Sequence, residues 1–192
     1  MSHTPVVAST AANSRYTWDD FVALDEDDLR ELIDGELVEV EVPTDSHEYI
    51  VGRLVTALTN WADAGHGGRA LVSGYKVRIS DRRGVMPDVQ FFRAGNDASK
   101  RQQKGLVEGR PDLVVEVMSP SSIRYDRLKK LQWYAQLGVP EYWLVNPEAQ
   151  MLERLVLREG VYAIVESLAG DDAFRPASFD GLEIPLARLW EA

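Results

Sequence analysis

PDLVVEVMSP, residues Pro111 to Pro120, reads as a short apolar strand with a carboxylate in its middle. Successive strand residues face opposite ways, so Leu113, Val115 and Val117 share one face, while Asp112, Val114, Glu116 and Met118 share the other. SSIRYDRLKKLQWYAQLG follows with helical character, and Gly138 stops it. EYWLVNPE then reads as a second strand. A strand, a helix and a strand across residues 112–146 predict a parallel crossover inside a mixed sheet. The fold class is therefore α/β or α+β, a mixed β-sheet flanked by helices.

Outward from this block, the other segments fit the same class. Thr17 with Asp20 three residues on predicts a helix N-cap, opening a short helix near Trp18 to Leu24. Asp34-Gly35 between two apolar-rich runs predicts a tight hairpin. From Asp45, His47, Ile50, Leu54, Leu58 and Trp61 recur at helical spacing, with Asp45 and Glu48 as a capping box and an end near Ala64-Gly65. ALVSGYKVRIS, VMPDVQFFR, MLERLVLRE and VYAIVES read as strands. NDASKRQQKGLVEGR reads as a loop with a short helix, and IPLARLW as a closing helical turn. Residues 1–15 are expected to be a flexible tail, and residues 16–192 a single domain.

Composition removes several functions. The chain has 192 residues, no cysteine and a formal charge of −10. Disulfides, thiolate zinc sites and a cysteine nucleophile are excluded. There is no apolar run long enough to span a bilayer, and the first residues lack the pattern of a signal peptide. A cytoplasmic location is expected. An acidic chain repels nucleic acid at long range, so tight non-specific DNA binding is not the default. Three local basic clusters, RISDRR, KRQQK and RYDRLKK, are read as solvated surface.

The strand acid can be weighed by geometry. Asp112 and Glu116 share a face but lie about 13 Å apart along it. One small cation cannot be shared across that gap. In MPDVQFF, Asp88 would meet Glu116 if the two strands are neighbours, because adjacent strands run about 4.8 Å apart. Two such carboxylates form a hard-oxygen site suited to Mg²⁺. The plainer alternative pairs Glu116 with an arginine or leaves it on a solvated sheet face. A two-carboxylate glycosidase also fits the acids, but it gives no role to a lysine. On the following helix, 100° steps place Leu128, Leu131, Tyr134, Ala135 and Gly138 on the buried stripe. Lys130 falls at its edge and Lys129 points away. An Asp126–Lys130 surface pair is the plainer alternative there.

Taken together, ELIDGELVEV, HEYIVGRLVTAL, MPDVQFF and PDLVVEVMSPSSIRYDRLKKLQWYAQLGVPEYWLVNPE resemble the Uma-type restriction endonucleases, a family within the PD-(D/E)XK nuclease superfamily. The resemblance runs from about Tyr16 to Trp190 and is most specific from Pro111 to Pro147. It implies a restriction-endonuclease-like core. It implies a Mg²⁺-dependent endonuclease acting on DNA, with Mn²⁺ as a substitute and catalytic residues Asp88, Glu116, Lys130, Glu31 and His47. Metal ligands would be Asp88, Glu116 and the backbone carbonyl of Val117. The superfamily lysine usually follows the second acid by two residues, where this chain has Met118; the family lysine on the next helix matches Lys130. Glu31 would add a third acid, or else be a hairpin surface residue. His47 would orient a ligand or phosphate, or else be a partly buried helix-start imidazole. Tyr125, Tyr134 and Trp143 are expected to pack helix against sheet, and Asp126 to orient Lys130. A homodimer is expected by analogy, and the alternative function is a nuclease-derived binding module without turnover.

Overall fold

The structure, a computed structural model, describes residues 15–191 apart from 26, 27, 41, 73, 97, 99–105, 108 and 121. Residues 1–14 of the expected tail lie outside the described residues, as do the KRQQK cluster and most of the loop that contains it.

The quoted strand, β8 (Leu113–Val117), lies inside a six-stranded sheet. Before it in the chain come β1 (Glu31–Ile33), β2 (Glu36–Val38), β3 (Arg69–Val72), β4 (Lys76–Ser80), β5 (Arg83–Val85), β6 (Val89–Phe92) and β7 (Leu106–Val107). After it come β9 (Glu141–Asn146), β10 (Met151–Arg158), β11 (Val161–Ala169), β12 (Ala173–Phe174) and β13 (Ile184–Pro185). The large sheet has the order β11-β10-β9-β8-β6-β3. β8 and β9 are parallel, with Val115 opposite Trp143, as the crossover requires; the other pairs are antiparallel. A second sheet, β2-β1-β5-β4-β7, stands beside it. The chain passes from the second sheet to the first through Met86, Pro87 and Asp88.

Helices cover both faces of the large sheet. α1 (Trp18–Val22) opens with the capping box of Thr17 and Asp20 and ends two residues before the expected Leu24. α2 (Asp45–Trp61) buries Ile50, Val51, Leu54, Leu58 and Trp61 against Val89, Phe91, Leu113, Val115 and Val117. Its N-cap is Thr44, whose hydroxyl accepts the N–H of His47 at 3.2 Å, so the expected Asp45 capping box is corrected by one residue. The C-terminal segment closes the same side with Phe174, Phe179, Leu182, Leu186 and Leu189. The alternating residues Phe92, Val114, Tyr142 and Leu144 form the opposite core with Trp133 and Tyr134. Burial of each such large side chain contributes roughly 1.5–3 kcal/mol.

The crossover helix is not uniform. α3 (Ile123–Tyr125) and α4 (Leu131–Leu137) are joined by a π-helical turn over Asp126–Lys130. A π turn carries one more residue than an α turn, so a phase counted at 100° per residue does not survive it. Leu128, expected on the buried stripe, is 54% exposed, while Asp126 and Lys130 are buried. Gly138 ends α4 in the left-handed region at φ 79°, as expected. The hairpin turn has Asp34 at φ 53° and Gly35 at φ 88°, the two positive values of a type I′ turn.

Candidate active site

The register of β6 and β8 brings two acids face to face. Val89 pairs with Val115 and Gln90 with Val114, so the next step sets Asp88 opposite Glu116. Side chains directly opposite on antiparallel strands have Cβ atoms about 4.5–5.5 Å apart. Asp88 Oδ2 accepts the N–H of Val117 at 2.7 Å and lies 3.3 Å from His47 Nε2. α2 packs on the other face of the sheet, so its first turn reaches Asp88 around the strand end. Burial disfavours the His47 imidazolium, but the hydrogen bond and charge of Asp88, with Glu48, outweigh it and raise the pKa above the usual histidine value.

Behind Asp88 lies a buried ion cluster. Lys130 Nζ is 3.0 Å from Glu116 Oε1, 3.3 Å from Glu31 Oε1 and 3.5 Å from Asp126 Oδ1. All four residues are at most 6% exposed. Each comes from a different part of the fold or a different position on it: Glu31 from the hairpin, Glu116 from the large sheet, and Asp126 and Lys130 from the two ends of the π turn. Glu31 Oε1 also accepts the N–H of Met86 at 2.9 Å, which ties the hairpin to the Met86–Asp88 corner. Burial alone would lower the Lys130 pKa, but Glu116, Glu31 and Asp126 together hold it well above the usual lysine range. Burial raises Glu116 well above an ordinary carboxylate, with Lys130 opposing and Asp88, Asp126 and Glu31 adding to the rise. Asp126 is raised too, first by burial.

Aromatic side chains line this cluster. Tyr134, fully buried, donates its hydroxyl to Glu116 Oε1 at 2.6 Å. The Tyr125 ring lies 5.3 Å from Lys130 Nζ, and its hydroxyl finds no partner among the described residues. Tyr142 stacks edge-on against Tyr134 at 5.2 Å and points its hydroxyl to the backbone oxygen of Asp126 at 3.4 Å.

The five side chains singled out from the sequence, Asp88, Glu116, Lys130, Glu31 and His47, therefore occupy one connected region. Asp112 does not join them. It accepts the N–H of Arg93 and the side-chain amide of Asn96, both at 2.8 Å, at the opposite end of β8. Tyr134 is the residue whose polar role the sequence reading missed by treating it as packing. The available signal was its position four residues after Lys130, which puts both on one helix face.

The donor chemistry can be tested against a divalent ion. Among the described residues, no three His, Asp or Glu side chains converge into a metal cage. Mg²⁺ does not demand one, because it keeps several waters and binds through one or two carboxylates plus phosphate. Among the described residues, Asp88 Oδ1 and Glu116 Oε2 carry no hydrogen bond, while the other oxygen of each acid is held. Two facing hard-oxygen donors, each with an oxygen to spare, fit Mg²⁺ or Mn²⁺.

Comparison with known proteins agrees with the architecture. A family model described as "Uma2: Putative restriction endonuclease" matches residues 18–187. Among solved structures, a putative nuclease from Anabaena variabilis aligns at a TM-score of 0.73 and 20% identity, covering 91% of this chain and 97% of that one. At that identity the likeness establishes the fold alone. No curated protein matches.

Proposed function

From the premise that the chain belongs to the Uma2 family of restriction-endonuclease-type proteins, we propose that this nuclease-family protein hydrolyses DNA phosphodiester bonds in a Mg²⁺-dependent reaction. The observation that carries this reading is the facing pair Asp88–Glu116 with Lys130 Nζ 3.0 Å from Glu116. Asp88 and Glu116, with the carbonyl of Val117, would hold the ion, and Mn²⁺ would substitute. Such an ion acidifies bound water and neutralises charge on phosphate oxygens.

The chain's own groups do the rest. Lys130 stays protonated because three carboxylates surround it, so it acts as an ammonium donor rather than as a base. It orients the attacking water and stabilises the charge that develops on the phosphate. Glu31 and Asp126 keep that ammonium from swinging into solvent. His47, whose pKa is held above the ordinary histidine value by Asp88 and Glu48 against burial, fixes Asp88 and, when protonated, presents a cation toward an incoming phosphate. Cutting both strands of a duplex needs two such sites, which favours a homodimer, and a DNA substrate favours the cytoplasm. Among the described residues, no helix is long and apolar enough to cross a membrane.

One observation favours a second reading, a binding module without turnover. The net charge is −10, and several surface cations are already spent on acids, in the pairs Arg78–Asp81, Arg83–Asp34 and Arg127–Glu153. Plasmid nicking in Mg²⁺ or Mn²⁺ separates the two. The nuclease reading expects nicking by the natural protein and at least a ~100-fold loss in both Asp88→Ala and Lys130→Ala, as for removal of an electrostatic catalytic group. Nicking that survives both changes overturns the mechanism. Ion binding without any nicking supports the second reading.

A further inference from the structure

We infer that Tyr134 is a positioning residue for Glu116, fixing which of its two oxygens is presented for an ion. This rests on the metal reading above. Its hydroxyl donates to Glu116 Oε1 at 2.6 Å, deep in the core and away from solvent. Lys130 Nζ approaches the same oxygen at 3.0 Å. Two donors converge on one oxygen and none among the described residues on the other. A carboxylate pinned through Oε1 cannot rotate freely, so Oε2 keeps one direction. That direction matters because octahedral Mg²⁺ tolerates little error in ligand placement.

The packing supports the assignment. Tyr134 is held on α4 with its ring edge-on to Tyr142 at 5.2 Å, and its hydroxyl meets Glu116. The neighbouring Tyr142 supplies the comparison. It is equally buried, on the same core, yet its hydroxyl meets a backbone oxygen at 3.4 Å rather than Glu116.

The test measures Mn²⁺ affinity by calorimetry and by loss of the free-ion electron-resonance signal. Tyr134→Phe is expected to weaken Mn²⁺ binding about 10-fold or more, the effect of removing a group that orients a ligand. Tyr142→Phe is expected to stay within about twofold of the natural protein, even where its melting temperature falls as far. Equal affinity in Tyr134→Phe overturns the inference alone. No Mn²⁺ isotherm in the natural protein overturns the metal reading itself, and this inference with it. Should Tyr134→Phe not fold, 3-fluorotyrosine at position 134 keeps the hydroxyl and reports directly. Its ¹⁹F resonance is expected to move on Mg²⁺ addition while the same label at position 142 does not. An unmoved resonance at 134 overturns the inference.

Discussion

Asp28 shows how a single residue's charge can be read as a stability term. Its carboxylate takes a two-oxygen grip from Arg30, at 2.5 Å to Nη2 and 2.9 Å to Nε, and accepts the Arg30 backbone N–H at 3.1 Å. The side-chain bond from Arg30 leads in lowering the Asp28 pKa, against burial, to about 2. A depressed carboxylate stabilises the fold above its unfolded pKa, about 3.9, and that contribution is lost as pH falls through about 2. A carboxyl-carbon NMR titration is expected to give a midpoint near pH 2 for Asp28. In Arg30→Ala the midpoint is expected to return toward about 3.9. An unchanged midpoint in that variant would show that Arg30 is not the cause. The buried acids behave oppositely. Glu116 and Asp126 are raised by burial, so what they contribute is present at low pH and is lost as pH rises through their folded pKa values. The charge of Lys130 opposes the rise in both acids.

At the scale of elements, two glycines that look alike in the sequence have opposite expectations. Gly52 lies inside α2, and an added Cβ would meet nothing within 4 Å. Gly52→Ala is expected to raise the unfolding free energy by about 0.5–1 kcal/mol, the helix preference of alanine. Gly84, in β5, is covered by α1, and a Cβ there would fall 2.7 Å from ring atoms of Phe21 and Trp18. Gly84→Ala is expected to cost about 1–3 kcal/mol through overpacking. Urea titrations of both variants check the two signs. The contrast marks where sequence reading stops. Asp34-Gly35, Thr17 with Asp20, and Gly138 were legible because their meaning is local: turn and cap geometry depend on a few adjacent residues. The facing of Asp88 and Glu116 is legible given β6 and β8 as neighbours, because the two-residue period of a strand then fixes the faces. Leu128 is not legible, because the helix instead buries Asp126 and Lys130, and the acids that receive Lys130, Glu31 and Glu116, lie on other elements and leave no mark in a local periodicity. The Tyr134 hydroxyl was missed for the same reason, since its partner is 18 residues away on another element.

For the molecule as a whole, the site is also a joint. Lys130 is the cation shared by the hairpin sheet through Glu31, the large sheet through Glu116 and the crossover helix through Asp126. Removing one partner of a buried ionic cluster strands the others, at about 3–5 kcal/mol. Lys130→Met is therefore expected to lose that much unfolding free energy as well as nicking, which thermal and chemical denaturation would show together. A surface lysine changed the same way should fall within about 0.5 kcal/mol. Asp88 separates function from this joint, because it stands outside the Lys130 cluster and faces Glu116 as a like charge. An ion bound between the two acids stabilises the folded state by mass action, about 1.4 kcal/mol for each tenfold rise in concentration above its dissociation constant. In a chain of this size each kcal/mol moves the melting temperature by roughly 2–4 °C. Melting curves over a Mg²⁺ series are thus expected to climb about 3–6 °C per decade once binding saturates, and to stay flat in Asp88→Ala. A parallel climb in both proteins would mean that the ion acts on the −10 surface charge and not between the facing acids. Because the same charge would be screened by any salt, matched ionic strength in NaCl distinguishes a bound ion from a screened surface.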